Sequence, residues 1–105
     1  MITEDMVRTA LMNVFDPEIG LDIVSLGLVY RIEIEQGGKQ VDVDMTLTTP
    51  ACPAGPQIIE NVRREIKALG EVYKDLDAIN INLVWTPFWK PDMMTQDARE
   101  ELGFF

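Results

Sequence analysis

The stretch LVYRIEIEQGGKQVDVDMTL, residues 28–47, alternates apolar and polar side chains on both sides of a Gly-Gly pair. Leu28, Tyr30, Ile32 and Ile34 form one row, and Val29, Arg31, Glu33 and Glu35 form the other. A period of two is the signature of a strand with one buried face. Gly37-Gly38 supplies the conformational freedom of a tight hairpin turn. A second strand then runs from Val41 to Thr48, with Val41, Val43, Met45 and Leu47 inward and Asp42, Asp44, Thr46 and Thr48 outward. A two-stranded ribbon with one apolar face needs a cover.

The flanking sequence supplies it. Val7, Ala10, Leu11 and Val14 recur at helical spacing and predict a helix over Thr3–Val14, with Thr3 as N-cap and Glu4 and Asp5 at its positive end. Asp16-Pro17 stops it. Downstream, Ile58, Ile59, Val62, Ile66 and Leu69 form one stripe, predicting a helix from about Gly55 to Leu69 with Gly70 as its stop. Ile79, Ile81 and Leu83 alternate as a third strand, and Thr95 caps a last helix ending at Leu102, with Gly103 behind it. The order α-β-β-α-β-α predicts a single α+β domain over residues 1–105: a three-stranded sheet in one layer, helices in the other. Whether the third strand pairs with the first or the second stays open.

Composition narrows the function. The 105 residues carry 9 Lys+Arg against 18 Asp+Glu, a formal charge of −9. A nucleic-acid binder needs a basic face to displace counterions, so that class is disfavoured, as is an anionic membrane surface. No apolar run reaches the ~18 residues of a membrane span, and the first residues lack the basic start of a secretory signal. One cysteine and no export signal point to a reducing cytoplasm. There is no histidine, so a metal would have to be held by thiolate or carboxylate.

The one thiol, Cys52, lies in TTPACPAGP (Thr48–Pro56), where the second strand gives way to the second helix. Helix N-termini present unpaired N–H groups and a partial positive charge, which favour thiolate. Pro50 and Pro53 stiffen the segment, and Thr48 and Thr49 offer hydroxyls. The alternative is a small buried hydrophobe. A nucleophilic enzyme would lack the usual histidine base. An iron–sulfur unit wants about four ligands, so one sulfur would need help from Asp16, Glu18, a second subunit or an external thiol. A cluster held so would be labile and transferable.

Two further features stand out. DPEIGLD, residues 16–22, packs three carboxylates into seven positions. It is either a solvated loop, with Asp22 capping the next turn, or a group that brings Asp16 and Glu18 to Cys52. Trp85, Phe88 and Trp89 crowd a proline-rich stretch, as a lid over the core or as an exposed patch for a partner.

Four stretches together resemble the small iron–sulfur cluster assembly factor family of SufT-like and PaaD-like proteins. They are DPEIGLDIVSLGLVY (Asp16–Tyr30), MTLTTPACP (Met45–Pro53), INLVWTPFW (Ile81–Trp89) and MMTQDAREELGF (Met93–Phe104). The resemblance implies a fold like the C-terminal domain of iron–sulfur scaffolds and a metal–sulfur cluster biosynthetic role. It places Asp16, Glu18, Thr49, Cys52 and the Trp85/Trp89 pair at functional positions, with Cys52 as the reactive cysteine. The implied cargo is a transient iron–sulfur cluster, and Cys52 its metal contact. The implied partners are client proteins and other assembly factors, and a homodimer would pair two single-sulfur sites. The expected function is therefore accessory, in cluster assembly or delivery, and not enzymatic. The alternatives are a metal-free adaptor that recruits clients and, third, a cysteine-dependent enzyme.

Overall fold

A computed structural model describes residues 2–48, 53–74 and 76–103. The elements are α1 (Glu4–Leu11), β1 (Val29–Glu35), β2 (Gln40–Met45), α2 (Gly55–Val72), β3 (Ala78–Leu83), a short 3-10 turn (Pro91–Met93) and α3 (Gln96–Leu102). The α+β order read from the sequence holds. The strand order is β1-β2-β3, with β1 and β2 antiparallel and β2 and β3 parallel. A parallel pair needs a long crossover, and α2 is that connection.

Helix α1 begins where expected: the Thr3 hydroxyl accepts the Met6 N–H at 3.2 Å. It ends earlier than expected. Met12, Asn13 and Val14 donate to the carbonyls of Thr9, Ala10 and Leu11, so the chain tightens into i→i−3 bonds after Leu11. Val14 stays buried all the same.

Helix α2 runs through Gly70 to Val72 rather than stopping at Leu69. Gly70 serves packing, not termination. A Cβ there would lie 3.0 Å from Leu76 Cδ2, so glycine lets the helix approach the chain returning to β3. At its other end Gly55 sits against Leu47, where a Cβ would come within 2.8 Å of Cδ1. The start of α2 is thereby held to the exit of β2.

The core joins Val7 and Leu11 of α1, Ile32 of β1, Val41, Val43 and Met45 of β2, and Ile58, Val62 and Ile66 of α2. Full burial of each such side chain contributes about 1.5–3 kcal/mol relative to exposure. The alternation read for β1 needs correction. Val29 faces Met45 and Arg31 faces Asp44, leaving Tyr30 as the extra residue of a β-bulge. Tyr30 therefore does not continue the row of Ile32 and Ile34. The outward row of β2 also differs: Asp42 is buried beneath amide partners, and Thr46 is buried completely.

Candidate functional site

The carboxyl ends of β2 and β3 lie side by side, because Met45 faces Leu83 in the parallel register. The chain beyond β3 stays at this end: the Val84 N–H donates to the Met45 carbonyl at 2.8 Å. The segment from Trp85 to Thr95 is then strapped to the turn before β1. The Trp89 indole N–H donates to the Leu26 carbonyl at 2.6 Å. The Tyr30 hydroxyl donates to the Pro87 carbonyl at 2.9 Å, with Met93 Sδ at 3.5 Å as a second acceptor. The Thr95 N–H reaches the Ser25 carbonyl at 2.9 Å. Gly27, at φ +77°, lies so close that any Cβ would collide with the Met93 carbonyl oxygen.

The acidic loop is organised from within. Asp16 Oδ1 accepts the Glu18 N–H at 2.9 Å, and the Asp16 carbonyl accepts the Gly20 N–H at 2.7 Å. Asp16 is 1% exposed, so one oxygen of its carboxylate is occupied in shaping the loop. Glu18 is exposed. Asp22 Oδ2 caps the following turn through the Ser25 N–H at 2.9 Å.

The aromatic residues divide. Trp85 and Trp89 are half-buried against the core, and Phe88 is 67% exposed. Glu18 and Trp89 are brought together: with Ile19, Pro91, Met94 and Leu102 they line a groove of about 430 Å³. Ile19 and Leu102 carried no signal in the sequence beyond ordinary apolar spacing. Thr49 and Cys52 lie outside the described residues. Helix α2, which follows them, starts from Ala54 without a side-chain cap and has no acidic residue in its first turn. Its N-terminal partial charge is therefore not offset from within the helix. Among the described residues no three His, Cys, Asp or Glu side chains converge as a metal site.

The far face of the sheet carries a polar lattice that the sequence reading did not single out. Arg31 donates to Asp44 at 2.9 Å, Asn82 donates to the other oxygen of Asp44 at 3.0 Å, and Asn80 donates to Asp42 at 2.8 Å. The Arg31 hydrogen bond, then that of Asn82, holds the Asp44 carboxyl below the usual range. Asp42 is likewise lowered, first by Asn80 and then by Glu35. Glu35 is raised, because its hydrogen bond with Asp42 favours a proton on Glu35. Burial raises the Tyr30 phenol.

Among the described residues no helix is long and apolar enough to cross a membrane. Residues 4–74 match the iron–sulfur cluster assembly protein family. The chain is 46% identical over 90 residues to the Fe-S protein maturation auxiliary factor SufT of Staphylococcus aureus (strain USA300), spanning 86% of this chain and 97% of that one. It is 43% identical over 101 residues to an Fe-S protein maturation auxiliary factor of Porphyromonas gingivalis (strain ATCC BAA-308 / W83), spanning 96% and 90%. The crystal structure of a domain of unknown function, DUF59, from Bacillus anthracis has the same fold. Its TM-score is 0.85 at 33% identity, over 97% of this chain and 92% of that one. The chain belongs to the iron–sulfur cluster assembly protein family.

Proposed function

We propose that this protein is an accessory factor that helps assemble iron–sulfur clusters or deliver them to client proteins, working in a reducing cytoplasm. Its likeness along nearly the whole chain to maturation auxiliary factors is the observation that carries the reading. Cys52 is the sulfur that touches the cargo. A lone protein thiolate supplies fewer ligands than a resident cluster needs, so the cluster stays exchangeable. Glu18 is exposed and free to lend an oxygen or adjust local charge, and Asp16 fixes the loop that presents it. Thr49, three positions before Cys52 in the chain, would offer a hydroxyl. Two chains sharing one cluster would supply two thiolates, with Glu18 of each chain able to lend an oxygen toward the remaining ligands.

The chemistry is transfer of a preformed unit, not turnover of a substrate. The relatives carry the names of auxiliary factors, and no histidine is present to serve a thiol nucleophile. The exposed Phe88 favours a second reading, in which the protein recruits clients without touching metal. Anaerobic incubation with ferrous iron and sulfide separates the two. Delivery requires wild type to gain iron and a visible absorbance band that Cys52→Ser lacks. If neither protein takes up iron and both still bind cluster-containing clients, the adaptor reading replaces it.

A further inference from the structure

The groove beside the acidic loop has the composition of a docking site for a basic, apolar-anchored segment. Its walls are Ile19, Pro91, Met94 and Leu102, with the Trp89 indole held in place by its bond to Leu26. A fixed aromatic wall binds without first losing rotamer freedom, which is how interface anchors gain affinity. Among the described residues Glu18 is the one charged side chain lining the groove. The stretches that wall it, residues 16–22 and 89–102, carry seven carboxylates against two cations, Lys90 and Arg99. An acidic ligand would be repelled here, and a purely apolar one would leave the field around Glu18 unused.

We propose that this groove receives a linear segment of a partner protein in which a bulky apolar side chain neighbours a lysine or arginine. The apolar side chain fills the space between Trp89, Met94 and Leu102, and the cation pairs with Glu18. The inference takes from the proposed function only that the protein meets partner proteins, and its test needs no iron.

The test is a random linear-peptide display library panned in parallel on wild type and Glu18→Lys. Glu18 is exposed, so the reversal leaves the fold intact. Wild type is expected to enrich Leu, Met, Phe or Trp beside Lys or Arg. Glu18→Lys is expected to enrich the same apolar residues without the neighbouring Lys or Arg. A synthetic peptide of the wild-type consensus should bind Glu18→Lys roughly 3- to 10-fold more weakly, the scale of reversing one partly exposed ion pair. Leu102→Ala should weaken it whatever the flanking charge. No enrichment, or the same consensus from both proteins, overturns the proposal. So does a concentration-dependent dimer that Glu18→Lys abolishes, since the occupant would then be a second copy of this chain.

Discussion

Trp89 and Leu26, 63 residues apart in the chain, are joined by an indole N–H that meets a backbone carbonyl at 2.6 Å. That bond fastens the proline-rich segment after β3 to the turn before β1, and it fixes one wall of the groove. Trp89→Phe keeps most of the ring and removes the donor. It is expected to destabilise the fold by about 1–2 kcal/mol, because the Leu26 carbonyl loses its partner. Urea denaturation reads this directly. An unchanged midpoint would mean that the strap does not depend on the bond.

Two glycines with similar backbone angles should respond differently to alanine. Gly27 and Gly20 have φ of +77° and +84°, but only Gly27 faces a neighbour, the Met93 carbonyl. Gly20→Ala carries left-handed strain alone, about 1 kcal/mol. Gly27→Ala adds a steric collision and is expected to cost at least twice as much, about 2–3 kcal/mol. Equal losses would contradict the close approach of the strap.

Thr46 is buried, and its hydroxyl has no hydrogen-bond partner among the described residues. An unsatisfied buried hydroxyl costs free energy, so Thr46→Val should be neutral or stabilising by about 1 kcal/mol. Thr46→Ser, which keeps the hydroxyl and removes the methyl, should lose about 1 kcal/mol. The two unfolding midpoints should therefore move in opposite directions. A marked loss in Thr46→Val would show that the hydroxyl is bonded.

The polar lattice makes a signed prediction about pH. Asp44 is lowered by Arg31, so its stabilisation is present above the ordinary carboxylate range and fades as pH falls through its lowered value. Glu35 is raised by Asp42, so its contribution is complete in acid and fades as pH rises through its raised value. Hence Glu35→Gln should gain on wild type as the solution goes from acidic to neutral. Asp44→Asn should lose most at neutral pH and approach wild type in acid. Urea midpoints across that range test both signs.

The sequence revealed the hairpin, the helical stripe of α2 and the caps at Thr3 and Thr95, because each depends on side chains close in the chain. The Thr95 hydroxyl does accept the Ala98 N–H, and Gly103 does take the left-handed position after α3. What escaped was set by distant contacts. Gly70 looked like a stop because its close approach to Leu76 cannot be read locally. The bulge at Tyr30 was hidden in a clean alternation, since a strand does not announce which residue its partner skips. The site divided the same way. Glu18 and Trp89 each stood out in the sequence as part of an odd feature, but their proximity, and the apolar groove between them, depend on tertiary contacts that include Leu102 from α3. The buried role of Asp16 was invisible, because a carboxylate that bonds its own loop has the same letter as one that faces solvent.

Cluster delivery requires that the Cys52 sulfur can be reached in the folded protein. The direct measurement is the rate of alkylation by iodoacetamide in the native state, set against the rate in concentrated urea. The native thiol is expected to react at least as fast as the unfolded one, and Cys52→Ser is expected to take up no label. A thiol that reacts only after unfolding would contradict it, since a sulfur shut away from so small an electrophile cannot receive or hand on a cluster.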